Sequence, residues 1–186
     1  MDELRRQIEA YTPFDEQEAR DREMMLMAID KMENTLTREN IFAHFTASSW
    51  IVNPGRTHVL MACHNIYKAW AWTGGHADGE ADLLAVALRE AREETGIERI
   101  SPVIPGIYSL EIIPVFPHFR RESFVCGHLH MNATFLLCAD DGQAIHAKPD
   151  ENSGVKWMTL EVVEAIREEP YMASIYQKLN RKLQML

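Results

Sequence analysis

Cysteine is scarce. Three residues in 186, Cys63, Cys126 and Cys138, make an odd number with no Cys-x-x-Cys spacing. A disulfide framework and a zinc ribbon are thereby excluded as organising principles, and reduced thiols in a cytoplasmic protein are the expectation. No apolar run approaches the roughly 18 residues that a membrane helix requires. The opening "MDELRRQIEA" has mixed charge where a signal peptide has an apolar stretch. Positive charge is also in deficit: 19 Lys and Arg against 28 Asp and Glu give a formal net charge of −9. That is the reverse of the basic surface needed for general nucleic-acid binding. Internal repeats, low-complexity tracts and linkers are absent too. What remains is 46% hydrophobic and 25% charged, an ordinary balance for a chain long enough to bury a core.

Residues 1 to about 40 read as helical, because "DEQEARDREMMLMAIDKMEN" is rich in helix formers. Met24, Leu26, Met27 and Met32 recur loosely at helical spacing. Such a stripe predicts core or a homodimer contact, with an adaptable binding surface as the alternative. From Phe42 the pattern turns strand-like. "NPGRT" between two β-rich runs is a hairpin signal, and a short strand is expected before Trp72. A helix is predicted from about Asp82 to Thr95. The runs "IPGIYSLEIIPVFPH" and "HLHMNATFLLCAD" form a second strand pair. Thr159 suits an N-cap, and a last helix follows Pro170. Strands enclosing one central helix, with helices at both ends, predict an α/β or α+β sandwich.

The segment with most chemistry is "WTGGHADGEADLLAVALREAREETGI", Trp72 to Ile97. At 100° per residue, Glu90, Glu93 and Glu94 fall within an arc of about 100°. Leu84, Ala87, Leu88 and Ala91 supply a neighbouring face for packing. Asp82 is a good N-cap, and Gly96 suits the left-handed position that closes a helix. Three like charges on one face repel, and they occupy the last turn, where the helix dipole favours cations. A divalent hard cation resolves that conflict, since it takes carboxylate oxygens together with water and phosphate. The competing reading is a solvated acidic face offset by Arg89 and Arg92. Gly74 and Gly75 shift the balance, because backbone without Cβ approaches a ligand closely.

This combination resembles the Nudix hydrolases. Their signature runs glycine, five residues, glutamate, seven residues, then Arg-Glu, an apolar residue, any residue, Glu-Glu, any residue, glycine and an apolar residue. Here Gly75 stands first and Arg89-Glu90 follow fourteen residues on. Ala91, Glu93-Glu94 and Gly96-Ile97 fill the rest. One departure exists: Ala81 occupies the position of the first glutamate, and Glu80 lies one residue earlier. In the family that glutamate holds the helix arginine, so either Glu80 from an altered loop or Asp82 is expected to serve Arg89. The resemblance implies an α+β fold, a Nudix-type α/β/α sandwich with a mixed sheet over residues 41–186. Residues 1–40 are then a helical extension packed on it.

The implied activity is metal-dependent hydrolysis of the diphosphate bond of a nucleoside diphosphate linked to another moiety. A small-molecule nucleotide or other diphosphate would be its substrate. Mg²⁺ or Mn²⁺ would be held by Glu90, Glu93, Glu94 and the Gly75 carbonyl, with Arg89 orienting Glu93 by an ion pair. The base is Glu93, Glu94 or an acid from outside the box. In "KPDENSGVKW", Glu151 is the stronger candidate and Asp150 the weaker, against an exposed acidic turn. His128 and His130 share one strand face and are candidates for phosphate or a second metal, against an exposed polar pair. Arg120 and Arg121 are candidates to grip a phosphate or carboxylate, against a solvated loop. Trp70 and Trp72 either stack on a base or pack in the core. Two rival functions share the fold: a catalytically silent ligand-binding or sensor domain, and an isomerase using Cys63 or Cys126. A plain interaction domain with a coincidental box is the third. Retention of Glu90, Glu93 and Glu94 argues for the hydrolase.

Overall fold

The computed structural model describes all residues except 66–67, 121–122 and 167–169, and it leaves the side chain of residue 120 undescribed. The helices are α1 (Asp2–Ala10), α2 (Glu16–Lys31), α3 (Leu83–Thr95), α4 (Leu160–Glu164) and α5 (Pro170–Leu183). The strands are β1 (Ala43–Val52), β2 (His58–His64), β3 (Trp70–Ala71), β4 (Thr73–His76) and β5 (Ile100–Pro102). They continue with β6 (Ser109–Val115), β7 (His118–Arg120), β8 (Ser123–Val125), β9 (His128–Ala139) and β10 (Asn152–Thr159). Among the described residues, eight strands form one sheet in the order β10-β2-β1-β9-β5, with β3 on β2, β4 on β1 and β6 on β9. The fold is α+β. β7 and β8 form a separate two-stranded antiparallel sheet in the stretch between β6 and β9, where the sequence suggests only a connection.

The chain packs as two compact units. The first comprises Met1–Ser48, Gly75–Val86 and Gly106–Phe135. In it α1 and α2 bury Leu4, Ile8, Met25 and Ala28, and the strands bury Phe45, Ala47, Leu110, Met131, Ala133 and Phe135. β6 and β9 pair antiparallel from Ser109↔Thr134 to Val115↔His128. Strand alternation then places His44, Thr46 and Ser48 on one side of β1, and His128, His130, Asn132 and Thr134 on one side of β9. These polar rows are buried except at His128 and His130, which are half-buried. Asn132 Oδ1 accepts from Thr46 Oγ1 at 3.0 Å and Ser48 Oγ at 2.8 Å, and its Nδ2 donates to Glu111 Oε2 at 3.1 Å. Glu18, wholly buried, accepts from the Tyr11 hydroxyl at 2.5 Å and the Phe14 amide at 2.7 Å.

That buried glutamate sets the face of α2 and corrects the core half of the methionine expectation, not the dimer-contact half. Seven and ten residues beyond Glu18 lie Met25 and Ala28, both buried, whereas Met24 and Met27 are exposed. The helical reading of the first 40 residues also needs correction beyond Lys31, where Asn34 takes φ 55 and the chain becomes irregular.

The second unit comprises Ser49–Gly74, Ala87–Pro105 and Leu136–Leu186. The β1–β2 connection falls on "NPGRT", where Asn53 Oδ1 accepts from the amides of Thr57 and His58 at 2.9 and 3.1 Å. β2 pairs antiparallel with β10, and the register slips between Asn152 and Val155. Such irregularities bend a strand locally and re-aim its side chains. Thr159 caps α4, its Oγ1 accepting from the Val162 amide at 3.4 Å. α5 begins on Pro170 itself, whose missing N–H is one the first turn leaves unused anyway. Its Tyr176 packs between Trp50, stacked at 5.4 Å, and Trp72, edge-on at 5.7 Å. Trp72 is thus part of the apolar packing. No helix among the described residues is long and apolar enough to cross a membrane.

Candidate functional site

α3 starts where the sequence predicts. Asp82 Oδ1 accepts from the Ala85 amide at 3.1 Å, and the Asp82 carbonyl accepts from Val86 N–H at 3.1 Å. Its buried side carries Leu83, Val86, Ala87 and Ala91, and Glu94 continues the same side with only 6% exposure. The expected stripe through Leu84 and Leu88 is therefore rotated: Leu84 is only half-buried, and Leu83 and Val86 take the core positions in its place. The helix closes on Gly96 at φ 69, whose amide donates to the Arg92 carbonyl at 2.9 Å. No side chain fits there, because a Cβ would lie 2.0 Å from the His146 ring.

The three helix glutamates have unlike surroundings. Glu94 Oε1 accepts from the Gly74 amide at 2.8 Å. Burial nevertheless raises its carboxyl up to about 8, with the Gly74 hydrogen bond opposing and the charges of Glu90 and Glu151 adding to the rise. Burial also raises Glu90, against the counter-pull of Arg89. Glu93 is half-exposed and accepts from Lys148 Nζ at 3.1 Å. Lys148 also reaches Glu151 Oε1 at 2.9 Å, so one ammonium bridges a helix carboxylate and the acid singled out on the distant loop. The Glu151 hydrogen bond, then that of Glu93, raises Lys148 above the ordinary ammonium value.

Asn152 ties that loop down. It is buried, its Nδ2 donates to the Glu94 carbonyl at 2.9 Å and its Oδ1 accepts from the Lys148 amide at 3.2 Å. The Glu151 carbonyl in turn accepts from Asn65 N–H at 3.0 Å. Sequence reasoning misses Lys148 and Asn152, though both stand inside "KPDENSGVKW". An ammonium and an amide flanking an acidic pair are the signal that could have found them.

The ion pairs depart from one expectation. Arg89 pairs with Glu90 at 3.3 Å, and Glu93 pairs with Lys148, so Arg89 is not the partner of Glu93. The carboxylates expected to hold Arg89 are engaged with the main chain: Glu80 Oε1 accepts from Asp82 N–H at 2.9 Å, and Asp82 caps the helix. Gly75 follows Gly74 on β4. Asp150 stands in the turn before β10, beside Glu151.

His128 and His130 do share a side of β9, with Nε2 to Nε2 at 3.2 Å. They are not an exposed polar pair. His44 of β1 and His76 of β4 join them, with ring centroids 4.8 to 5.1 Å from His130. Burial pushes His130 down to about 2, and the neighbouring imidazoles push the same way. Sequence spacing does not mark His44 or His76 as partners of that pair. The alternation of His44, Thr46 and Ser48 against Ala43, Phe45 and Ala47 is the signal for an interior polar row. Of the arginine candidates, Arg120 has its backbone on β7 and Arg121 lies outside the described residues. Cys63, Cys126 and Cys138 are free thiols.

An α+β fold with a glutamate-lined helix entered from a Gly-Gly strand defines a known class. The family model of the NUDIX domain matches residues 43–179. The chain belongs to the Nudix hydrolase superfamily, whose enzymes are pyrophosphohydrolases. A search of curated protein sequences gives no match. Among solved structures, a Nudix hydrolase from M. smegmatis, RenU, is similar with a TM-score of 0.57 at 17% identity, covering 78% of this chain and 89% of that one. The E. coli dihydroneopterin triphosphate pyrophosphohydrolase gives 0.55 at 16%, covering 72% and 92%. A C. elegans Ap4A hydrolase binary complex gives 0.52 at 17%, covering 76% and 95%. At these identities the likeness speaks for the fold.

Proposed function

We propose that the chain is a divalent-metal-dependent pyrophosphohydrolase, cleaving the P–O–P bond of a nucleoside diphosphate linked to another group. The observation that carries this reading is the imbalance around α3. Four carboxylates, Glu90, Glu93, Glu94 and Glu151, meet two cationic partners, Arg89 and Lys148, and burial holds Glu94 and Glu90 toward their protonated forms. An oxygen-rich, under-neutralised donor set fits a hard cation such as Mg²⁺ or Mn²⁺ and not a thiophilic one. Glu90, Glu93 and Glu94 would hold it. The ion supplies neutralisation of phosphate charge and acidification of a water.

The side chains then divide the work. The Gly74 amide fixes one oxygen of Glu94 and leaves Oε2 for a ligand. Arg89 positions Glu90. Glu151 has Oε1 on Lys148, so Oε2 is the atom that takes the proton of the attacking water. Attack at phosphorus breaks one P–O bond of the bridge, and the bridging oxygen leaves with the other phosphate. Lys148, a compact positive charge on a flexible stem, offsets charge growing on that leaving phosphate. Three free thiols accord with a cytoplasmic setting.

The test is a panel of nucleoside triphosphates, nucleotide sugars and dinucleoside polyphosphates, run with Mg²⁺ and with Mn²⁺ and with products identified. Release of a nucleoside monophosphate, phosphate or pyrophosphate from at least one compound, stopped by chelator, is expected. No turnover anywhere in the panel with either ion would overturn the hydrolase reading and leave a silent ligand-binding domain.

A further inference from the structure

The four histidines of the first unit are a chemical group apart from the carboxylates. We infer that His44, His76 and His130 form a binding site for a divalent transition-metal ion of the zinc class, with His128 as the positioning residue for His130.

Geometry comes first. One ring nitrogen from each of His44, His76 and His130 lies within 4.8 Å of the other two. Tetrahedral coordination at about 2.0–2.1 Å per bond sets ligand nitrogens about 3.4 Å apart, so closing on an ion asks for a contraction of roughly 1.5 Å at most. Side-chain rotation supplies that. The three rings stand tilted or edge-on to each other, at 37°, 50° and 85°, and none stacks on another. Rings packed only for contact area have no need to turn their nitrogens inward together.

The hydrogen bonds around the cluster are the second observation. His44 is buried, and its Nδ1 lies 3.0 Å from the Asn40 carbonyl. A carbonyl only accepts, so Nδ1 carries the proton and Nε2 presents a lone pair. That buried Nε2 has no hydrogen-bond partner among the described residues. An unmatched buried polar atom is destabilising, and native structures rarely leave one without a reason. His128 repeats the pattern, with Nδ1 2.9 Å from the Cys126 carbonyl and Nε2 facing His130. With Nδ1 donating to that carbonyl, the Nε2 lone pair of His128 accepts from His130, which leaves the second nitrogen of His130 as its lone pair. Imidazoles whose far nitrogen is anchored on a backbone carbonyl or a polar side chain are how proteins orient metal-binding histidines.

Chemistry selects the ion. Three neutral nitrogen donors suit zinc, copper, nickel or iron and offer little to Mg²⁺, which demands oxygen. Three histidines also leave a fourth position for water or a ligand oxygen. Two charged groups that act on His44, Arg38 and Asp78, are bound to each other at 2.7 Å. The site stands independently of the hydrolase reading.

The experiment uses the full chain, stripped with chelator and held in saturating Mg²⁺ so that the carboxylates are occupied. Calorimetric titration with Zn²⁺ is expected to give one equivalent in the wild type and in E93Q/E94Q. H44A and H130A are each expected to weaken it about tenfold or more. Co²⁺ in the same competition is expected to give the strong visible absorption of a four-coordinate nitrogen site, a readout on wild-type protein that needs no variant to fold. Absence of Zn²⁺ uptake, uptake lost in E93Q/E94Q but kept in H44A, or a weak octahedral Co²⁺ spectrum would each overturn the site.

Discussion

The carboxylates of α3 and the imidazoles of β1, β4 and β9 solve one problem in opposite ways. Each gathers like groups that repel when charged. The carboxylates are met by partial neutralisation, with Lys148 shared between Glu93 and Glu151 and with Glu94 pushed up to about 8 by burial. The imidazoles are met by loss of charge, with His130 pushed down to about 2 and His44 also lowered by burial. Neutral nitrogens coexist at short range without counter-charge, whereas carboxylates wait on a cation. The two regions should therefore respond to different ions.

The largest effect expected is on turnover. E93Q/E94Q removes two hard oxygen ligands at nearly constant volume, and kcat on any substrate found should fall on the order of 10³-fold. Circular dichroism should be unchanged. If kcat survives, the carboxylate half of the comparison is wrong. Next in size is a pH effect in metal-free protein. Glu94 keeps its proton when folded up to about 8 but loses it near 4.5 when unfolded. The folded state thus holds the extra proton between those values. Its stabilisation is complete below about pH 4.5, declines as pH rises and is gone above about 8. Denaturant melts in chelator from pH 5 to 9 should show wild type losing at most a few kcal/mol more than E94Q.

A smaller loss is expected from N152A. Asn152 is buried and holds both the Glu94 carbonyl and the Lys148 amide. Its removal leaves a carbonyl and an amide unmatched and should lower stability by about 1–3 kcal/mol. It should also weaken Mg²⁺ binding, because the loop bearing Glu151 is no longer tied to the helix, while Zn²⁺ uptake stays the same. Equal losses for both ions would mean that general destabilisation is being measured.

How far each region is legible in the sequence follows from its geometry. Asp82, Glu90, Glu93, Glu94 and Gly96 lie on one helix and its cap, so 3.6-residue periodicity is enough to group them. Helix limits, the hairpin at "NPGRT" and the Thr159 cap are legible for the same local reason. The rotation of the buried side is not, because Leu83 and Leu84, or Met24 and Met25, are equally apolar and only tertiary packing chooses between them. For Arg89, the signature points to a contact with Glu93 that the ion pairs give to Lys148, 55 residues away in sequence. The histidine cluster is half legible. His128 and His130 announce themselves by alternation, but His44 and His76 come from other strands, and strand pairing cannot be read from spacing. The interior polar row of β1 is the one local clue to His44.

The smallest effect is the most discriminating. Lys148 contacts Glu93 and Glu151 through groups that are 27%, 47% and 42% exposed, so solvent screens both pairs and neither contributes much to stability. Its ammonium nonetheless occupies oxygens that a divalent ion would use. K148M keeps the stem and deletes the charge. If Lys148 competes with the ion, Mg²⁺ should bind about two- to fivefold more tightly, which is the scale of exposed pairs. If instead Lys148 holds the two carboxylates in place, Mg²⁺ should bind more weakly in K148M. Zn²⁺ affinity should not move in either case, since neutral imidazole donors do not depend on an ammonium for their charge. A shift in both ions together would join the two regions into one electrostatic system and end the contrast between them.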